Sequence, residues 1–157
     1  MKVVMATALA LCASGPLAAQ TGGDDRAAAL AVVQQLFDAM RTKDTTQLRS
    51  LFWPGSRLLG VRPRREGGFT VQETGVEQFA RAVAGSTGIW LERMFEPEVR
   101  IDGTLAQVWA PYDFHLDGRF SHCGVDAVQL LRVDGAWKIV ALSDTFRREG
   151  CPTRPAP

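Results

Sequence analysis

The chain has 157 residues, 46% of them apolar, with 18 Lys and Arg against 17 Asp and Glu. One domain of this size buries roughly two-thirds of its unfolded surface. The near-neutral balance excludes the basic footprint that nucleic acid or an anionic membrane surface requires.

Residues 1–20 carry the marks of a secretory signal peptide. Lys2 is the lone charge, Val3 to Leu11 is an apolar run, and Ala13 to Gln20 is a small-residue cleavage region. The apolar run falls well short of the roughly 20 residues that span a bilayer. Cleavage removes one base and no acid, which leaves a neutral mature chain expected in the periplasm or outside a bacterial cell.

Residues 21–24 read as a linker into a single domain over 25–151, with 152–157 a disordered tail. The first helix is expected from about Asp25 to Thr42, with Leu30, Val33, Phe37 and Met40 on one face and Leu36 on its flank. Asp44-Thr-Thr-Gln47 is a capping-box pattern that opens a short helix through Leu48, Leu51 and Phe52, and Trp53-Pro54-Gly55 stops it. Short strands follow at Arg57 to Val61 and Phe69 to Glu73, around a solvated basic turn with Arg62, Arg64 and Arg65. That turn offers a sharper alternative, an anion site at the mouth of a pocket. Thr74-Gly-Val-Glu77 is a second capping box, starting a helix with Val76, Phe79, Ala80 and Val83 on one face.

Three Asp-Gly dipeptides, Asp102-Gly103, Asp117-Gly118 and Asp134-Gly135, organise the second half. Asp-Gly supplies the positive φ values of a two-residue type I′ hairpin. Residues from about Trp90 to Phe146 therefore read as four long antiparallel strands in consecutive order, with Ile101 facing Thr104, Leu116 facing Arg119 and Val133 facing Ala136. One face of that sheet is apolar enough to receive the helices, through Val108, Ala110, Phe114, Leu142 and their neighbours. The polar exceptions on it are Arg93, Tyr112, Gln129 and Asp144. The opposite face mixes Trp90, Trp109, Trp137 and Ile139 with a row of Glu92, Asp113, His122 and Arg147, and with His115 and Asp126. Pro97 and Pro111 mark bulges or edges, which flip such assignments locally.

The order helix, short helix, hairpin, helix, four-strand meander resembles the NTF2-like superfamily. The residues that carry the likeness are Leu36-Phe-Asp-Ala-Met-Arg-Thr-Lys-Asp44, Leu48-Arg-Ser-Leu-Phe52 and Val133-Asp-Gly-Ala-Trp-Lys-Ile-Val140. With His122-Cys-Gly124 and Gly150-Cys-Pro152, the chain is similar to exported SnoaL-like and lumazine-binding-like bacterial members. The resemblance implies an α+β cone, a strongly curved, mainly antiparallel sheet with three helices on its concave face. It also implies a ligand site inside the cone and a homodimer through the outer sheet face.

It does not carry ketosteroid isomerase chemistry over. The oxyanion-hole tyrosine of that enzyme falls at Leu36, its general base near Gly60 and its second oxyanion acid near Gln129. Leucine and glycine neither donate to an oxyanion nor take a proton.

The expected function is therefore binding of a small, largely apolar or amphipathic molecule, with Tyr112, Gln129, Arg93 and Asp144 as candidate contacts and no evident catalytic signature. Asp144, if buried, needs a partner. Two alternatives remain. A lyase- or isomerase-like enzyme would use His122 with Asp113, or Asp144 with Tyr112. A structural homodimer or partner-binding module would fill the cone with Phe37, Phe79 and Phe114. One His and two separated acids make a weak metal site, so neither metal nor cofactor is expected. The pair Cys123 and Cys151, the two cysteines left after cleavage, is read as a disulfide closing about 28 residues, with two free thiols as the alternative. Trp90, Trp109 and Trp137 give the outer face its apolar area for a dimer.

Overall fold

A computed structural model describes residues 18–153, 155 and 157. The expected signal peptide lies almost entirely outside the described residues. Three helices, α1 (Ala18–Thr42), α2 (Thr45–Leu51) and α3 (Val76–Gly85), accompany seven strands: β1 (Phe52–Pro63), β2 (Phe69–Gly75), β3 (Trp90–Met94), β4 (Glu98–Asp102), β5 (Leu105–Leu116), β6 (Arg119–Val133) and β7 (Ala136–Thr145). The strands form one curved, unclosed sheet in the order β2-β1-β7-β6-β5-β3, with β4 also paired to β5. Every pairing is antiparallel except β1 with β7. This is the expected α+β cone.

α1 starts at Ala18 and takes in the stretch read as a linker. Its residues Ala29, Val33, Leu36 and Met40 recur at helical spacing and are buried against the sheet. Asp44 caps α2 as its position predicts, its Oδ1 accepting from the Thr46 and Gln47 amides at 3.1 and 2.9 Å. The second capping box does not form. Thr74 lies in β2, and the residue at the N-cap of α3 is Gly75, which makes no side-chain cap.

The short helix ends at Leu51, just ahead of Trp53-Pro54-Gly55 as expected, and these three residues then bulge the strand that follows. The pairing of β1 with β7 jumps from Phe52↔Ile139 to Arg57↔Ala141, and Ser56 Oγ donates to the Ile139 carbonyl at 2.7 Å inside the gap. The strand expected at 57–61 is thereby extended to twelve residues.

Two of the three Asp-Gly turns have the expected form. Asp117 and Gly118 (φ 52° and 73°) and Asp134 and Gly135 (φ 50° and 81°) both adopt positive φ, and Leu116 faces Arg119 and Val133 faces Ala136. At the first turn the loop slides by one residue. Gly103 alone takes positive φ (55°) and Asp102 pairs with Leu105, not Ile101 with Thr104.

The expected first meander strand is two strands, β3 and β4. The chain breaks between them at Phe95-Glu96-Pro97, where Glu96 has φ 46° and Pro97 lacks a ladder donor. Two bulges then turn side chains over. Between β5 and β6 the register shifts after Phe114, which pairs with His122 while His115 pairs with Phe120, leaving Ser121 unpaired. Between β6 and β7 it shifts between Gln129 and Leu130, leaving Val140 unpaired. One extra residue reverses which face each later side chain occupies.

Trp137 and Ile139 are consequently core residues, 5% and 0% exposed, and the break at Glu96 leaves Trp90 facing the cone. Of the three tryptophans expected on the outer face, only Trp109 is there, 47% exposed. Cys123 and Cys151 form the disulfide. Beside it Cys123 and Arg147 exchange two backbone hydrogen bonds of 2.9 Å, so the tail is laid back on the sheet. The Pro155 carbonyl, within the stretch read as a disordered tail, accepts from Arg93 Nη2 at 3.0 Å.

Candidate functional site

Between the helices and the concave face lies a cavity of about 520 Å³. Leu36, Phe37 and Met40 of α1 and Phe79 and Ala82 of α3 form its roof. Trp90, Phe114 and Leu142 form the apolar part of its floor. Trp90 and Phe114 meet edge to face with ring centroids 5.9 Å apart, which fixes both planes. Phe37, Phe79 and Phe114 thus line a void rather than fill it.

The polar groups come from six strands and α3, with Gln72 and Thr74 on β2 and Gln78 on α3. On β1, Gly60 is followed on the same face by Arg62. A Cβ at position 60 would come within 2.9 Å of the Arg62 guanidinium, so the glycine leaves room for that side chain to fold back over the sheet. There Arg62 Nη1 meets Asp144 Oδ2 at 2.5 Å. The basic turn therefore sends one arginine inward, and Asp144 has the partner its burial demanded.

Tyr112 of β5 is 5% exposed and its hydroxyl donates to the Thr145 carbonyl at 2.8 Å. Burial first, then the acids around it, hold the phenol far above its usual range, so it stays protonated. His122 of β6 is sandwiched between Phe114 and Phe146, with centroids 4.8 and 4.1 Å away. Burial, reinforced by Arg62 and Arg148, depresses its pKa to about 4, so the imidazole is neutral near pH 7.

The remaining pair, Glu92 of β3 and Asp126 of β6, is the unusual one. The two carboxyls are within hydrogen-bonding reach of each other in the cavity wall. Asp126 is 2% exposed, and its Oδ2 receives no N–H or O–H donor among the described residues. Directly across the ladder from Asp126 lies Asp144, a third acid. Burial and the Asp126 charge push the Glu92 carboxyl well above the ordinary range, and burial raises Asp126 to about 7. Two acids so placed hold one proton between them near neutrality.

The sequence places some of these groups correctly and others not. Tyr112 and Asp144 line the cavity as expected. Arg93 and Gln129 do not: Gln129 is exposed on the outer face, paired with Gln107. Arg93 forms a bidentate pair with Asp113 there, at 2.9 and 2.6 Å. The expected row of Glu92, Asp113, His122 and Arg147 does not form either. The bulge at Ser121 turns His122 into the cone, while Asp113 stays outside against Cys123. Asp113 pairs instead with His115, at 3.4 Å. Burial works to raise the Asp113 pKa, but the bonds from Arg93 and His115 outweigh it and hold it below the usual range.

The acid pair sets an expected pH dependence. Glu92 and Asp126 keep protons in the folded chain that the unfolded chain releases, so their cost is absent below about pH 4 and grows as pH rises through the folded values. His122 acts in the opposite sense, with a cost absent above 6.5 that appears as pH falls toward 4. The two offset each other between these limits, and above 6.5 the acids act alone. Thermal melts should show Tm falling from pH 6.5 to 9, with the slope flattened in Glu92→Gln and Asp126→Asn. A wild-type Tm that stays level or rises over that range contradicts the shared proton.

Residues 24–143 match the family described as "Putative lumazine-binding". No curated protein matches the chain. An NTF2-like protein from Cytophaga hutchinsonii is 17% identical, over 78% of this chain and 98% of that one, with a TM-score of 0.65. An NTF2-like protein with a cystatin-like fold from Novosphingobium aromaticivorans is 15% identical, over 85% and 88%, with a TM-score of 0.68. A "putative dehydratase" of the NTF2-like family from Streptomyces avermitilis is 17% identical, over 81% and 99%, with a TM-score of 0.64. At these identities the likeness is one of fold.

Proposed function

Because the chain belongs to the lumazine-binding-like family of NTF2-like proteins, we propose that it binds a small amphipathic molecule in its cone. The observation that carries this reading is the 520 Å³ cavity with an aromatic floor and convergent polar groups, the usual make-up of a small-molecule site. A purely structural module gives no reason to keep such a space open, since unfilled apolar volume costs stability. We place the mature protein in the periplasm or outside the cell. The Cys123–Cys151 bond supports this, because disulfides persist in oxidising compartments.

An acid–base enzyme is the second reading, favoured by the Glu92–Asp126 pair. Its chemistry would run through these two acids, not through His122 with Asp113, which the fold separates. The homodimer through the outer sheet face now rests on Trp109 with Leu105 and Leu131, all exposed there.

Native mass spectrometry of protein recovered from its own cell envelope tests both points. A bound small mass released by mild activation is expected, on a dimer that Trp109→Lys converts to monomer. Protein of the bare chain mass at every activation energy counts against ligand binding, and a wild-type monomer counts against the dimer.

A further inference from the structure

The polar wall of the cavity is unbalanced in charge, and the imbalance has a direction. Arg62 and Asp144 are mutually engaged and cancel. Tyr112 is spent on the Thr145 carbonyl, and His122 is closed in by two rings, with its Nδ1 against Ser121 Oγ at 3.0 Å. Among the charged groups of the wall, what remains unanswered is the pair Glu92 and Asp126. Neither acid has a salt bridge among the described residues, and one buried Asp126 oxygen has no protein donor. A protein seldom leaves a buried carboxylate oxygen without a partner unless something else supplies it. Around the acids stand aromatic faces, Trp90 and Phe114 on the floor and Phe79 in the roof. Carboxylate beside aromatic faces is the environment in which an organic ammonium group is stabilised, by charge-assisted hydrogen bonds and by the ring quadrupoles.

We propose that the cavity takes a cationic ligand, an amine carried on a flat or aromatic body, whose ammonium group sits between Glu92 and Asp126. This rests on the ligand-binding reading above and names the class of ligand for that same site. The proton accounting follows. The empty pair holds one proton and one negative charge, and the arriving ammonium replaces that proton, which leaves to solvent. The bound state then has two carboxylates answered by one cation, with Arg62 next to them sharing the excess charge. Anionic ligands meet the acid pair and are repelled. Neutral ligands gain the ring contacts alone.

Calorimetric titration at pH 7.5 with three probes of one shape tests this: 2-phenylethylamine, 2-phenylethanol and 3-phenylpropionate. The amine is expected to bind about tenfold tighter than the alcohol, and the carboxylate more weakly than either. The heat of amine binding should differ between phosphate and Tris buffers because a proton is released. Both the preference and the buffer difference should disappear in Glu92→Gln, and Asp126→Asn provides a second variant should the first fold poorly. An alcohol or carboxylate that binds as tightly as the amine overturns the charge preference and leaves ligand binding standing. No binding of any probe, with a bound mass still seen in the native protein, overturns the preference alone. No binding together with no bound mass overturns both.

Discussion

Gly124→Ala is expected to cost about 3 kcal/mol or more, far above the usual effect of one added methyl. A Cβ at position 124 would overlap the Thr145 carbonyl oxygen and lie 2.7 Å from Tyr112 Cε1. The first neighbour is backbone and cannot rotate away. It is also the oxygen to which the Tyr112 hydroxyl donates, so moving it breaks a buried hydrogen bond. Gly124 lies next to Cys123, whose backbone holds Arg147 on the sheet, so the disturbance reaches the clamped tail. A thermal melt should show Tm lower by roughly 10 °C, with a changed tyrosine signal in near-ultraviolet circular dichroism. A variant within ~2 °C of wild type would mean that the close approach of β6, β7 and Tyr112 is wrong.

Removing the Cys123–Cys151 bond is expected to have a comparable effect. The bond closes 28 residues that include Asp126 and Asp144, and the chain-entropy argument puts its contribution at roughly 3.5 kcal/mol. The double variant Cys123→Ala/Cys151→Ala should melt roughly 10 °C below the oxidised wild type, and wild type treated with a reductant should shift in the same direction. Because Cys123 is 2% exposed, part of the variant's loss comes from packing, and the reductant comparison isolates the cross-link. If neither treatment moves Tm by more than ~2 °C, the tail is held by its two backbone hydrogen bonds and the bond adds nothing.

The fold was legible because its signals are local. The Asp-Gly turns, the Asp44 cap and the spacing of Val33, Leu36 and Met40 each report on a few neighbouring residues, and together they give the order of elements. The site was half legible. Counting residues outward from a turn places Tyr112 and Phe114 correctly, since β5 has no extra residue before them. The same count fails in β6 after the bulge at Ser121, and it fails in β3 because Glu96 breaks the strand.

Both errors moved an acid of the pair to the wrong face, so the Glu92–Asp126 site was missed. One signal within β6 pointed the right way. Val128 and Leu130 flank the polar Gln129, which marks the even positions as buried, and that alternation leads directly back to Asp126, Gly124 and His122. A pattern read from the strand itself is stronger than a register carried over from a turn, because a single bulge cancels the latter. In β7 the buried Trp137 and Ile139 lie on one side of Val140 and the cavity residues Leu142 and Asp144 on the other, so no unbroken alternation existed to be read. For Arg62 the basic turn suggested only an anion site at the pocket mouth, not a place inside the cavity. Arg62 enters the cavity only because Gly60 has no side chain, a contact between positions that a linear pattern does not show.

The central claim is that a small molecule occupies the space under α1 and α3. The most direct measurement compares the bound mass carried by wild type, Ala82→Trp and Ala84→Trp in native mass spectrometry, all recovered from the same envelope. Ala82 and Ala84 are both exposed on α3, but only Ala82 lines the cavity. The account predicts that Ala82→Trp loses the bound mass while Ala84→Trp keeps it, with both variants retaining the wild-type circular dichroism. Equal retention in the two variants, or no bound mass in wild type, would contradict it.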